Sequence, residues 1–368
     1  MATEPRPESL PLADVRCLSE LGEWSAADGA SGLWRYRDAI PVDPALGARL
    51  SMGEGLTPLI ASGQDGVSVK LEFLSPTGSF KDRGAVVLVA RALARGAPSL
   101  VADSSGNAGS AIAAYAARAG LTCRVFVPEG TSAAKQAQIG AYGATLAVVP
   151  GDRTATAQRA WAAVAESGAT YASHVYDPYF LQGTRTFAFE IWEQLATAPD
   201  ALVIPAGNGT LLLGTWIGFS ELHAAGLIAR MPALVAVQSE RCAPLAAAFA
   251  RGADEPLTVA ARPTAAEGIA IPRPARGAEM LAAIRASGGT VVAVPEAAIA
   301  PARRDLAARG LLVEPTAAAA WAALGIAREL PALGPWAGVE SEPWARARSA
   351  LGGTVVVPLC GSGLKSAE

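Results

Sequence analysis

The chain has 368 residues, of which 51% are hydrophobic and 17% charged, and its net charge is −3 at pH 7. This length and apolar content are sufficient for two domains with separate cores. The near-neutral charge, without basic clusters or interleaved basic and aromatic residues, gives no reason to expect nucleic-acid binding.

Short apolar strands alternate with alanine-rich helices along most of the chain. The strands are expected at residues 67–73, 99–102, 122–127, 145–149, 201–204, 234–237, 290–294 and 354–357. Continuous apolar strands separated by helices are typical of parallel sheets that are covered on both faces. The pattern therefore predicts an α/β fold.

The first candidate for chemistry is Lys81, in the segment SPTGSFKDRG (75–84) between an alternating strand and a buried helix. Small residues leave little bulk around its amine. A lysine at such a junction can condense with an aldehyde, because burial and the following helix N-terminus disfavour the charged amine. The alternative is an ordinary solvated surface lysine.

The second candidate is the segment DSSGNAGS (103–110), where an apolar strand gives way to an alanine-rich helix. The first turn of such a helix offers backbone N–H groups to an anion, here the carboxylate of an amino-acid substrate. The amide of Asn107 would face a polar substituent on the ring of a bound ligand. The alternative is a Ser/Asn helix cap, which this segment favours when it is taken alone.

The third candidate is a strand end that runs into a helix through Gly207, Asn208, Gly209 and Thr210. Glycines let backbone amides approach phosphate oxygens closely, and the helix dipole favours the negative charge. The uncharged stretch 201–220 is long enough to cross a bilayer. Its central proline and glycines instead favour a strand, a loop and a buried helix, so no membrane span is expected.

The fourth candidate is VVVPLCGSGLK (355–365), a buried strand that ends in Cys360 and two glycines. The other cysteines, Cys17, Cys123 and Cys242, are widely spaced, and no CxxC motif occurs. No structural zinc site is therefore expected, and no residue is assigned as a metal ligand. Because no secretory signal precedes the cysteines, we expect a cytoplasmic protein with reduced thiols.

Together and in this order, the four segments resemble the fold type II pyridoxal-phosphate enzymes, and among them threonine synthase. The resemblance runs from about Leu33 to Lys365 and includes MGEGLTPLI, YAARAGLTCRVFVPEG and EPTAAAAWAAL. It implies two doubly wound domains with mainly parallel sheets and pyridoxal 5'-phosphate in the cleft between them. The implied domains are an N-terminal arm that is a zinc-ribbon remnant without its cysteines (1–32), a large cofactor-binding domain (33–83 and 174–366) and a smaller mobile domain (84–173).

The resemblance also implies roles for individual residues. Lys81 would hold the cofactor as a Schiff base, and Asn107 would hydrogen-bond the ring oxygen. The phosphate would be bound by Gly207, Asn208, Gly209 and Thr210, and the substrate by Ser104, Ser105, Gly106, Asn107 and Ala108. Cys360 would face the pyridine nitrogen. A thiol is a weak and usually neutral partner, which suits elimination and replacement better than transamination.

One departure from the family concerns the substrate. In HVYDPYFLQGTRTFAFEI (174–191), Phe180 stands where the resemblance implies an arginine for the phosphate of O-phosphohomoserine. Asp152 stands where an asparagine is usual, and a carboxylate repels a phosphate dianion. Lys135 and Arg153, on neighbouring loops, are the cations that could compensate.

Three further polar residues have open roles. His174 follows a strand and would at most shape the pocket, whereas His223 is expected after an amphipathic helix; neither is expected to be catalytic. Glu314 would either line the cofactor pocket or cap the helix that follows it.

The resemblance implies a lyase like threonine synthase, which performs elimination or replacement on an amino acid with a β or γ leaving group. Conversion of O-phosphohomoserine to threonine is the family default. The alternatives are a serine or threonine dehydratase or a β-replacement synthase, which Phe180 favours, and a non-catalytic relative that binds the cofactor or an amino acid, against which Lys81 argues. A racemase would need a second placed acid that the sequence does not identify. By analogy, we expect a homodimer with an amino-acid substrate.

Overall fold

The computed structural model describes residues 32–104, 106–151, 153–329 and 341–366. Residues 1–31 of the N-terminal arm, which include Cys17, and also Ser105 and Asp152 lie outside the described residues. The described residues form two compact units, of which the first takes residues 32–56, residues 74–186 and residues 365–366. The second unit takes residues 57–73 and 187–364. Within the described ranges, no helix has the length and apolar character needed to cross a bilayer.

The described elements alternate between strands and helices. The strands are β1 (Leu59–Ala61), β2 (Val67–Lys70), β3 (Leu100–Asp103), β4 (Cys123–Pro128), β5 (Thr145–Val149), β6 (Thr170–Tyr171), β7 (Ala201–Pro205), β8 (Ala233–Ser239), β9 (Thr290–Val294) and β10 (Val355–Pro358). The α-helices are α1 (Pro44–Leu50), α2 (Lys81–Ala94), α3 (Asn107–Ala119), α4 (Ala133–Ala141), α5 (Arg153–Ser167), α6 (Pro178–Thr184), α7 (Thr186–Leu195), α8 (Thr210–Ala224), α9 (Pro244–Ala250), α10 (Gly277–Ala286), α11 (Glu296–Ala308), α12 (Pro315–Ala327) and α13 (Glu342–Ala350). Short 3₁₀ helices lie at Gly32–Ala39, Glu72–Leu74, Glu267–Ile269 and Gly363–Lys365.

The first unit contains a four-stranded parallel sheet in the order β5-β4-β3-β6. Helix α2 lies in the core of this unit, where it packs against α3 and α6. Its run AVVLVA (85–90) is at most 1% exposed. A run of six buried apolar residues covers all sides of a helix, and its packing fixes the position of the first residue of α2, Lys81.

The second unit contains a six-stranded sheet in the order β1-β2-β10-β7-β8-β9. Only the pair β1 and β2 is antiparallel. Strand β10 lies between β2 and β7, so that Val355 is opposite both Val67 and Ala201. Because parallel strands end at the same edge of a sheet, the loops that follow β7 and β10 leave the sheet side by side.

Helix α12 fills the centre of the second unit. Nearly all of its residues are buried, and Trp321 is fully so. The indole N–H of Trp321 donates to Asp305 Oδ2 at 2.7 Å, which satisfies its one polar atom inside the core.

The α/β fold and the mainly parallel sheets expected from the sequence are confirmed. The expected strands lie within two residues of the observed ones, except that strand β2 ends at Lys70 and is followed by the turn Glu72–Leu74. Strands β1 and β6 were not predicted, because runs of 3 and 2 residues carry no periodic signal.

Candidate active site

Lys81 is the first residue of α2 and is half-buried. Its Nζ lies 4.4 Å from the ring centroid of Phe80 and 5.8 Å from that of Phe180. Aromatic rings at these distances surround an amine with apolar surface while still tolerating its charge. The expected position at a junction before a buried helix is therefore present in the structure.

The Phe180 ring is a fixed wall beside Lys81. It is fully buried in α6, and a methyl group on Gly84 of α2 would collide with it. His174 packs edge-on against the same ring, with centroids 5.9 Å apart. Burial, together with the charges of Lys81 and Arg153, lowers the pKa of His174 well below its usual value, so the imidazole is neutral.

The loop before Lys81 is held by Thr77. The backbone N–H and the hydroxyl of Thr77 donate to the carboxylate of Asp82, at 2.7 and 2.5 Å. Its carbonyl oxygen accepts from Lys365 Nζ at 2.8 Å and from Gln138 Nε2 at 3.0 Å. The sequence did not identify Thr77 or Asp82 as functional, since burial of an acid beside a lysine leaves no periodic signal.

Two hydroxyl groups on the same loop face no protein partner. The Oγ atoms of Ser75 and Ser79 are buried and have no hydrogen-bond partner within the described parts of the chain. Buried polar atoms are almost always satisfied in folded proteins. Two orphaned hydroxyls near Lys81 in sequence therefore indicate a place where a polar ligand binds.

The segment from Ser104 to Ala108 turns from β3 into α3, as expected. Gly106 is the N-cap in an extended conformation, and no side chain caps the helix. Gly109 is required here, because a Cβ at this position would collide with the carbonyl oxygen of Ser104. Ser104 and Ala108 are buried, whereas Gly106 and Asn107 are partly accessible. The first-turn amides of α3 suit an anion such as a carboxylate.

In the second unit, the loop Gly207–Thr210 leads from β7 into α8. Gly209 is the N-cap of α8 with φ +80, a left-handed conformation that favours glycine. A Cβ on Gly207 would lie 2.5 Å from the carbonyl oxygen of Gly268. A Cβ on Gly209 would collide with the sulfur of Met280. Both glycines are therefore required by close packing, and the turn that they form leads into the N-terminus of α8, a position that suits a phosphate.

Replacing Gly209 by alanine is expected to lower the free energy of unfolding by about 2–4 kcal/mol, from left-handed strain and from the collision with Met280. Gly226→Ala is the matched control, since Gly226 has φ +76 and nothing within 4 Å of its Cβ position. Gly226→Ala should lower the free energy of unfolding only by the strain of the left-handed conformation, about 1–2 kcal/mol. Urea unfolding measures both. Equal losses would mean that Met280 moves aside without cost.

Cys360 follows β10 and is 3% exposed. Its thiol donates to the carbonyl oxygen of Pro358 at 3.6 Å. The neighbouring Gly361 lies directly against the carboxylate of Glu314, with which a Cβ would collide. Glu314 is the N-cap position of α12, but its side chain makes no capping hydrogen bond, so the capping role considered for it is wrong.

A turn that the sequence did not indicate completes this edge of the second unit. Gly268, in the turn Glu267–Ile269, packs against Gly207 and donates its N–H to Thr316 Oγ1 at 3.1 Å. The surrounding sequence is an alanine-rich loop without strand or helix periodicity, so nothing in it predicted this contact. His223 is exposed within the apolar helix α8, and the expectation of an amphipathic helix before it is wrong.

Comparisons with known proteins indicate which proteins this chain resembles. The family model described as pyridoxal-phosphate dependent enzyme matches residues 50–339. A threonine synthase from Mycobacterium leprae (strain TN) is 36% identical over 341 residues, covering 90% of this chain and 88% of the relative. A threonine synthase from Methanocaldococcus jannaschii is 35% identical over 303 residues, covering 80% of this chain and 74% of the relative.

Solved structures show the same fold. Maize serine racemase superposes with a TM-score of 0.71 at 20% identity, covering 91% of this chain and 94% of that one. A threonine deaminase from T.th. superposes with a TM-score of 0.68 at 26% identity, covering 86% of this chain and 96% of that one.

Proposed function

Because the chain belongs to the pyridoxal-phosphate dependent enzymes, we propose that it is a lyase like threonine synthase in which Lys81 is the catalytic residue. The observation that carries this proposal is the position of Lys81, at the first residue of a buried helix and flanked by aromatic rings. The threonine synthase relatives, about one third identical over most of the chain, support it.

The residues present fit pyridoxal phosphate. The orphaned hydroxyls of Ser75 and Ser79 provide polar contacts near Lys81. The turn Gly207–Thr210 and the N-terminus of α8 suit the phosphate. Lys81 would hold the cofactor aldehyde as a Schiff base, Asn107 would bond the ring oxygen, and Cys360 would face the ring nitrogen.

When it is bound, this cofactor supplies an electron sink for negative charge at the substrate α-carbon. The amine of Lys81 would act as the base for the substrate α-proton. The first-turn amides of α3, with Ser104 and Ala108 around them, orient the substrate carboxylate. Ser105, outside the described residues, would belong to the same segment.

The family reaction, conversion of O-phosphohomoserine to threonine, is the first candidate. Dehydration of serine or threonine is the second, and the Phe180 wall favours it. The ring centroid of Phe180 lies 5.8 Å from Lys81 Nζ, and this residue stands where the resemblance implies an arginine. An aromatic ring does not neutralise a phosphate dianion, so this position supplies no positive charge for a phosphate-bearing substrate.

The proposal includes a cytoplasmic homodimer. Cys123, Cys242 and Cys360 are buried free thiols, which suit a reducing compartment. Two-fold dimers are the commonest soluble oligomers. Light scattering on the purified protein is expected to show a dimer. A monomer at micromolar concentration would contradict the proposed homodimer.

Purified protein with added pyridoxal phosphate is expected to show a visible absorption band, and borohydride followed by peptide mapping should place the label on Lys81. Phosphate released from O-phosphohomoserine would support the first reaction, whereas keto acid from serine or threonine without phosphate release would support the second. A protein without any band, even at millimolar cofactor, would contradict the enzyme proposal.

A further inference from the structure

Every polar atom of Thr77 makes a hydrogen bond, although Thr77 lies in a loop of small residues. Asp82 accepts from its N–H and its hydroxyl, and Lys365 and Gln138 donate to its carbonyl oxygen. A segment of this composition would otherwise be mobile. The four hydrogen bonds fix the backbone four residues before Lys81.

Asp82 supplies two of these bonds, and its geometry differs from that of a helix cap. It is the second residue of α2, whose N-cap residue Phe80 makes no side-chain capping bond. Its carboxylate reaches back to Thr77 instead of to the first amides of its own helix. The effect is to close the loop that ends at Lys81 onto the helix that begins there.

The carboxyl group of Asp82 is also fully buried. Burial raises its pKa to about 7, although the Thr77 hydrogen bonds and the charge of Lys365 lower it. Glu54, which accepts from Tyr115 Oη at 2.7 Å, raises it further. Carboxylates are rarely fully buried unless paired, so its retention next to Lys81 calls for a role.

We propose that Asp82 is a positioning residue that fixes Lys81 toward the cofactor by clamping Thr77. The inference rests on the proposed role of Lys81 as the cofactor lysine. The clamp acts through hydrogen bonds, which a neutral amide in the same place can also make: its oxygen accepts from the Thr77 N–H, and its NH₂ donates to the hydroxyl.

The variants Asp82→Ala, Asp82→Asn and Thr77→Val distinguish the effect of the hydrogen bonds between Asp82 and Thr77 from the effect of the carboxylate charge. Asp82→Ala should weaken pyridoxal-phosphate binding to the apoprotein about 10- to 100-fold, because two hydrogen bonds to a charged group are lost. Thr77→Val loses only the hydroxyl bond and should weaken binding about 3- to 10-fold. Asp82→Asn should stay within about 3-fold of the wild type, since the amide preserves both bonds. Titration of the visible band at pH 8 measures each dissociation constant.

A second readout uses the apoprotein alone. The native state holds the Asp82 proton up to pH about 7, whereas the unfolded chain loses it near the ordinary aspartate pKa of 3.8. The unfolded state therefore binds fewer protons in this window, and the contribution of Asp82 to stability decreases as pH rises from about 4 to about 7. The melting temperature of Asp82→Asn should lack this decrease.

Glu72→Gln is the matched control. Glu72 is a fully buried carboxyl that accepts from Thr57 Oγ1 at 2.7 Å, and it belongs to the second unit, whereas Thr77 and Asp82 belong to the first. It should bind the cofactor like the wild type.

Three outcomes decide the proposal. Weaker binding in Asp82→Ala and Thr77→Val, with Asp82→Asn and Glu72→Gln unchanged, supports it. Wild-type affinity in Thr77→Val, or weakening of Glu72→Gln as large as that of Asp82→Ala, overturns it in favour of a purely structural carboxyl. A wild-type protein that forms no band contradicts the proposed function instead. Should Asp82→Ala fail to fold, Thr77→Val decides the same question.

Discussion

Alanine in place of Lys81 is expected to remove the visible absorption band and to lower kcat by at least about 10³-fold. The amine is proposed both to hold the cofactor aldehyde and to remove the substrate α-proton, and alanine can do neither. Because Lys81 is only half-buried at a helix end, the fold should remain intact. Absorption spectra, steady-state kinetics and circular dichroism of both proteins provide the measurement.

Chemical rescue serves as the control for Lys81→Ala. A small primary amine such as methylamine is expected to restore part of the activity of Lys81→Ala, because it supplies a base to the space that the lysine leaves. Rescue would separate loss of the amine from loss of structure. A variant that keeps its band and more than about one tenth of its activity would show that another group is the cofactor lysine.

Replacing Lys70 by methionine should have the largest effect on stability. Lys70 Nζ lies 2.8 Å from Glu190 Oε2, and both side chains are 0% exposed. The ammonium also donates to the carbonyl oxygen of Thr57. Removing the lysine from this buried ion pair takes away the ammonium group 2.8 Å from the Glu190 carboxylate and costs about 3–5 kcal/mol. Urea unfolding followed by circular dichroism should show a correspondingly lower midpoint.

The double variant Lys70→Met with Glu190→Leu tests the cause. Apolar replacement of both partners also removes the buried carboxylate of Glu190, and such replacements are often neutral or stabilising. The double variant should therefore be more stable than Lys70→Met alone. A double variant that is less stable than the single one would show that packing around Lys70, and not the charge, dominates.

The sequence predicted those features of the site that depend on local pattern. Lys81, Asn107 and the turn Gly207–Thr210 each follow an apolar strand or loop and begin a helix, and the structure places them at these junctions. Strand and helix periodicity extends over enough residues to be recognised. The roles given to these residues remain predictions.

Such local patterns do not predict contacts between segments that are distant in sequence. The sequence shows an acid after Lys81, but only the fold shows that Asp82 is buried and bonded to Thr77. Phe180 was recognised as a departure, yet its packing against His174 depends on where α6 lies in the first unit. These effects arise from tertiary burial, which the local sequence does not encode.

The position of β10 between β2 and β7 has a consequence for synthesis on the ribosome. The strands of the four-stranded sheet all lie within residues 100–171, so the ribosome has synthesised all of them before it reaches the second half of the chain. The six-stranded sheet cannot close until Val355–Pro358 has left the exit tunnel. Until then, β2 and β7 each present an unpaired edge to other nascent chains. Completion of this sheet should therefore be the slow, aggregation-prone and chaperone-sensitive stage of biogenesis.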